Sequence, residues 1–180
     1  MTAEACVHHL WFEDQSYTTL GSLIKCNPAI KKASDRDAIR KAVKDGRISI
    51  LATDHAPHTW EEKQGTYFNA PSGLPLIQHT LLLMLEMYEQ NCFSPELIVE
   101  RACHAPARLF QVEERGYLRE GYWADIVVVD PEGKTEVKDS QLFSKCGWSP
   151  FSHLTFTNSV ETTIVSGQIA YHQGELNMEC

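Results

Sequence analysis

The sequence has no uninterrupted apolar run of about 18 residues, so no segment is suited to cross a bilayer as a helix. It also lacks an excess of basic residues: 16 Lys and Arg stand against 24 Asp and Glu, a formal net charge of −8. That balance argues against nucleic acid or an anionic membrane surface as the main partner. The six cysteines, at 6, 26, 92, 103, 146 and 180, form no Cys-x-x-Cys pair, which removes the usual signature of a structural zinc knuckle. The opening Met1-Thr2-Ala3-Glu4 has neither the basic nor the apolar block of an export signal. The thiols are therefore expected to be reduced, in a cytoplasmic protein, each acting as a small buried hydrophobe. Internal repeats and low-complexity tracts are absent.

What is present reads as ordinary globular material, with 43% hydrophobic and 22% charged residues. A length of 180 residues suits one domain or a piece of a larger one. The pattern changes character near Gly116, which suggests a division into 1–115 and 116–180. In the first part, residues 2–7 suit a short strand running into His8-His9. Ser34 is a candidate N-cap for a helix from Asp35 to about Lys44, with Asp35 and Asp37 favoured in its first turn and Gly46 ending it. Ala38, Ile39, Ala42 and Val43 supply its apolar face. Ile48 to Ala52 reads as a buried strand. Residues 59–75 read as a loop, and Leu76 to about Glu89 as a helix apolar nearly all round, hence packed. Ser94-Pro95-Glu96 opens a helix to about His104, and Ala105-Pro106-Ala107 a further turn through Phe110. After Gly116 the pattern turns to β: a strand over Ile126–Asp130 and a hairpin over Thr162–Tyr171 turning at Ser166-Gly167.

The densest chemistry is Asp54-His55-Ala56-Pro57-His58, just after the Ile48–Ala52 strand. A carboxylate at a strand's C-terminal end can hold a cation through oxygen and exchange a proton with water. Such an end is where a (β/α)8 barrel keeps its active site. Pro57 stiffens the stretch and directs His58. From spacing alone, a loop whose aspartate and histidines are hydrogen-bonded caps serves equally well.

The run Thr53-Asp54-His55-Ala56-Pro57-His58-Thr59-Trp60-Glu61-Glu62-Lys63 closely resembles the signature of bacterial-type dihydroorotases, members of the amidohydrolase superfamily. Further stretches fall in the order that family shows. They are Glu4-Ala5-Cys6-Val7-His8-His9, Lys25-Cys26-Asn27-Pro28-Ala29-Ile30 and Ala70-Pro71-Ser72-Gly73-Leu74-Pro75. Ala105-Pro106-Ala107-Arg108-Leu109-Phe110 is similar to the family's Asn-Pro-Ala-x-x-Phe, with alanine replacing the usual asparagine. Gly121 to Asp130 resembles the strand that follows many amidohydrolase barrels. The resemblance covers nearly the whole chain. It implies an α/β fold: the C-terminal portion of a (β/α)8 (TIM) barrel followed by a small β-sandwich unit. It implies that Asp54 binds zinc at the end of the eighth strand and acts as general acid and base. It implies that His58 binds the substrate carboxylate and Asn27 the pyrimidine ring. Backbone at Ser72 and Gly73 would close over the substrate, the bare Gly73 allowing close approach.

The resemblance also implies parts with no match here. The family's His-x-His pair, bridging lysine or aspartate, and two further histidines are absent, so the chain reads as starting at strand seven. One aspartate does not complete a binuclear zinc centre, and by itself the 180-residue chain is expected to be a poor enzyme. His8 and His9 are read as packing or supporting groups rather than ligands, and Glu4 as an ordinary hydrogen-bonding carboxylate. His79, His104, His153 and His172 match no functional motif and read as structural or exposed. Trp148-Ser149-Pro150-Phe151 reads as an aromatic turn packing the β unit onto the barrel. Three readings remain open. One is a zinc-dependent dihydroorotase segment acting on dihydroorotate, as a possible homo-oligomer. Another is a non-catalytic scaffold for aspartate transcarbamoylase. The third is a hydrolase of neighbouring substrates such as hydantoins.

Overall fold

The computed structural model describes residues 1–177, so Cys180 and the end of the 116–180 segment lie outside the described residues. Two short strands, β1 (Glu4–Cys6) and β2 (Ile50–Ala52), pair in parallel with Glu4 opposite Ile50 and Cys6 opposite Ala52. Parallel neighbours need a crossover. It is made by α1 (Val7–Trp11), α2 (Tyr17–Leu20) and α3 (Ala33–Lys44).

Both strands are shorter than the sequence suggests. At the end of β1 the chain turns helical at Val7, because Val7, His8 and Leu10 all find buried positions on one turn of helix. His8 and His9 therefore lie on α1, not at a strand end. The start of α3 differs as well. Lys32, not Ser34, is its N-cap, and the Asp35 side chain accepts from the Lys32 amide at 3.2 Å. An acid three residues into the helix satisfies that donor, so the Ser34 hydroxyl is not needed for it.

The 59–75 segment is not all loop. Thr59 caps a one-turn helix, α4 (Trp60–Lys63), by accepting from the Glu62 amide, while Glu62 accepts from the Thr59 amide. After a 3-10 turn at Ile77–His79 comes α5 (Thr80–Glu89), which buries Leu82, Leu83, Met84 and Met87. Helix α6 (Pro95–Val99) is capped by the Ser94 hydroxyl, which accepts from the Leu97 amide. It continues through a π-helical turn at Glu100–His104 into α7 (Ala105–Leu109).

The remaining strands are β3 (Ile126–Asp130), β4 (Thr135–Glu136), β5 (Thr155–Phe156), β6 (Ser159–Val165), β7 (Gln168–His172) and β8 (Glu175–Leu176). Strands β3, β6, β7 and β8 form one antiparallel sheet in that order, and β4 pairs with β5 as a separate two-stranded ladder. The β6–β7 hairpin turns at Ser166-Gly167, both at positive φ, as the sequence indicates. Val127, Val128, Val165 and Ile169 of the larger sheet are exposed.

One hydrophobic cluster joins the α/β part to residues beyond Gly116. Leu10, Phe12, Leu74, Leu82, Leu83 and Met87 share it with Val137, Phe151 and Phe156. Phe12 and Phe151 stack with ring centroids 5.5 Å apart. Trp148, Ser149, Pro150 and Phe151 are all buried, as expected of an aromatic turn used for packing. His79 lies buried beside them, its ring stacked on Phe156 and edge-on to Phe151.

Burial pushes the His79 imidazole down from the usual 6.5 to about 4, so it folds neutral. Between those values the unfolded chain binds a proton that the folded chain refuses. This stabilisation is complete above about pH 6.5 and shrinks on acidification, by about 1.4 kcal/mol per pH unit. Urea denaturation between about pH 4.5 and 6.5 should show at least that slope, since buried His8 adds to it, and His79→Phe should reduce it by about 1.4 kcal/mol per pH unit. An unchanged slope in the variant would contradict a neutral buried ring.

Candidate functional site

Strand β2 delivers Asp54 at its C-terminal end, where the backbone adopts a left-handed turn with φ of 47°. The carboxylate is exposed. The residues after it are pinned by a second segment. His55 forms a parallel bridge with Leu74, and the Ala56 amide donates to the Leu74 carbonyl at 3.0 Å. His55 Nδ1 accepts from the amides of Leu76 and Ile77 at 3.0 and 3.1 Å. An accepting Nδ1 leaves the proton of the neutral ring on Nε2.

His58 is held between two partners. Its Nε2 lies 3.1 Å from the Ser72 carbonyl and must donate to it, while Nδ1 sits 3.4 Å from the Glu62 carboxylate. Gly73 follows at φ +140°, and a Cβ there would fall 2.5 Å from the Ala56 carbonyl and 2.9 Å from the Ala56 Cβ. Only glycine allows so close an approach. The Gly73 amide donates to the Lys25 carbonyl at 2.9 Å, two residues before Asn27. Asn27 itself is exposed. The structure thus joins the 25–27, 54–58 and 72–74 segments in one cluster of loops.

Asp54 also acts on the floor of this cluster. Burial, and then the negative charges of Asp54 and Glu4, push the Cys6 thiol up to about 12. Burial raises Cys26 to about 11, with the Asp54 charge adding to it. Both thiols are therefore protonated at neutral pH. Glu4 is exposed on β1, as an ordinary carboxylate would be.

Beside Cys26 lies a group that motif reading does not single out. His8, His9 and Cys26 bring one donor atom each to within 4.8 Å of one another. His9 Nε2 is 2.7 Å from the Pro28 carbonyl, to which the Cys26 thiol also donates at 3.2 Å. His8 is fully buried, and neither ring nitrogen has a protein partner. Burial lowers its pKa to about 3, the neighbouring His9 adding to the effect. A neutral imidazole with an open lone pair is the form that binds metal, and two histidines with a thiol suit a borderline cation such as zinc. The adjacent His8-His9 pair is visible in the sequence, but its meeting with Cys26 depends on the fold.

Lys63, the last residue of the Thr53–Lys63 run, gives no sign of its role in the sequence. It is fully buried, with Nζ donating to the carbonyls of Pro71 and Gly73. Two cavities lie elsewhere. One of about 1100 Å³ runs between α5 and the four-stranded sheet, and one of about 410 Å³ lies beside His55 and Trp148; neither is lined by Asp54, Asn27 or His58. With Asp54 and Asn27 both exposed, the loop cluster opens to solvent.

The family model described as the amidohydrolase family matches residues 2–170. A curated dihydroorotase from Halobacterium salinarum is 37% identical over 150 residues, 83% of this chain and 36% of its own length. One from Clostridium acetobutylicum is 36% identical over 170 residues, 94% of this chain and 40% of its own length. The chain thus spans about two fifths of these relatives. Among solved structures, the L-hydantoinase (dihydropyrimidinase) from Arthrobacter aurescens matches with a TM-score of 0.94 at 26% identity, over 98% of this chain and 40% of that one. A D-hydantoinase matches with a TM-score of 0.89 at 20% identity, over 97% of this chain and 40% of its own, a likeness of fold.

The tight seat of Gly73 has a measurable consequence. Gly73→Ala should cost about 2–4 kcal/mol in urea denaturation, from backbone strain and the clash with Ala56. A loss below about 1 kcal/mol would mean that the 72–74 turn is not held against Ala56.

Proposed function

Because the chain belongs to the amidohydrolase family, we propose that it is the C-terminal part of a zinc-dependent dihydroorotase, which reversibly hydrolyses L-dihydroorotate to N-carbamoyl-L-aspartate in pyrimidine synthesis. Strands β1 and β2 are then strands seven and eight of a (β/α)8 barrel. The four-stranded sheet is one layer of a small sandwich whose other layer covers the face that carries Val128 and Ile169. The substrate is a soluble metabolite, which fits a cytoplasmic setting. The observation that carries the reading is the meeting of three motif segments on one face, with Asp54 at the end of β2 and His58 held against the Ser72–Gly73 backbone.

Asp54 fits a zinc ligand because it is an accessible carboxylate on a strand end. When bound, zinc polarises the ring carbonyl and makes water nucleophilic at neutral pH. The chain's own residues do the rest. Asp54 takes a proton from the attacking water and returns it to the departing ring nitrogen. Asn27 offers the ring an amide donor and acceptor. His58 binds the substrate carboxylate, and to do so it gives up its hydrogen bond to the Ser72 carbonyl or its contact with the Glu62 carboxylate. Giving up the Ser72 bond costs one hydrogen bond and returns a charge-assisted one. The Ser72 and Gly73 backbone then closes over the ring.

A second reading, hydrolysis of a hydantoin, is favoured by the match to the L-hydantoinase structure. An assay of the full-length protein with L-dihydroorotate beside hydantoin separates the two. The expected result is turnover of L-dihydroorotate, lowered about a thousandfold or more by Asp54→Asn at unchanged Tm. Turnover of hydantoin alone would overturn the substrate. Undiminished turnover in the variant would overturn the role of Asp54, and no turnover together with no bound zinc would favour a scaffold.

A further inference from the structure

Lys63 is a fully buried lysine, and no ion pair among the described residues involves it. An ammonium group in such a place needs compensation from dipoles. It finds it in backbone carbonyls. Nζ donates to Gly73 at 2.9 Å and to Pro71 at 3.0 Å, with Lys25 farther off at 3.5 Å. The Trp148 ring lies 5.7 Å away and presents its face to the charge. The Ser22 hydroxyl donates to the Lys63 carbonyl at 2.6 Å and fixes the backbone from which the side chain reaches.

The carbonyls of Pro71 and Gly73 flank Ser72. Carbonyl oxygens aimed at one point repel each other, and a cation between them turns that repulsion into attraction. The turn at Ser72 is therefore shaped around the ammonium. From Trp148 the contact reaches His58, whose carbonyl accepts from the indole Nε1 at 2.7 Å. His58 returns to the turn by donating to Ser72. Lys63, the 71–73 turn, His58 and Trp148 thus form a closed ring of contacts, with Lys25 of the Asn27 loop at its edge. Burial holds the Lys63 pKa down to about 8, the value of a group kept from water but still cationic at neutral pH.

We propose that Lys63 is a positioning residue for the substrate site: it sets the 71–73 turn and, through Trp148, the place of His58. This rests on the reading of Ser72, Gly73 and His58 as substrate-binding groups. Lys63 touches no substrate, so its loss should show in binding rather than in the chemical step.

The test is Lys63→Met in the full-length protein, a substitution that keeps length and removes every donor. The expected result is a KM for L-dihydroorotate raised about tenfold or more, with kcat within about threefold. Hydrogen exchange at the Gly73 amide should speed up about tenfold, with α5 unchanged. A lower Tm and a smaller active fraction at unchanged KM would mean that Lys63 is structural only, and would overturn the proposal. If the methionine variant does not fold, Lys63→Gln decides, since its amide still donates to two carbonyls. A KM raised about threefold or more over the wild type, with faster Gly73 exchange, supports the role; wild-type KM and exchange overturn it. Failure of the unaltered protein to turn over L-dihydroorotate would refute the substrate instead. The exchange comparison needs no substrate and would still decide the role of Lys63.

Discussion

The parallel ladder between β1 and β2 governs everything else in this chain. Three residues of each strand, with Cys6 opposite Ala52, bring the ends of two strands side by side. The turn into α1 and the left-handed turn at Asp54 both begin there. That is why the Asp54 charge adds to burial in holding both the Cys6 and the Cys26 thiol protonated. A one-residue slip in register would break the pairing of Ala5 with Leu51 and carry Asp54 away from the loops it meets.

So short a ladder holds its place because loops brace it. Those loops carry backbone groups that must be satisfied where water is excluded. Side chains do this work: His55 accepts from two amides at the entry to α5, and Lys63 donates to the carbonyls of the 71–73 turn. The polar residues of the motif thus divide into two sets. Some, like His55 and Lys63, are spent inward on the backbone. Others, like Asp54 and Asn27, stay exposed and free to meet a ligand.

Much of this was legible in the residues. The Ile126–Asp130 strand and the turn at Ser166-Gly167 follow from β-branched runs and turn chemistry, both local effects. The Ser94 cap is equally local. Helix starts were harder where two caps competed, and Asp35 displaced Ser34 because its carboxylate reaches the Lys32 amide. The sequence puts His8 and His9 at a strand end because Ala3, Ala5 and Val7 alternate with a period of two, whereas Val7 and Leu10, three apart, share a buried helix face that draws both histidines onto α1. The grouping of the 25–27, 54–58 and 72–74 segments was available only through the family resemblance. Hydrogen bonds such as Gly73 to Lys25 span 48 residues or so of sequence and leave no periodic trace. The burial of Lys63 was invisible for the same reason, since a lysine after two glutamates reads as a solvated helix face.

The central claim is that the carboxylate at the end of β2 is a zinc ligand. An anomalous difference map at the zinc edge, from crystals of the full-length protein, tests it most directly. The expected result is a zinc peak about 2.0–2.2 Å from an Asp54 carboxylate oxygen. Zinc held only by His8, His9 and Cys26, with Asp54 turned to solvent, would contradict it.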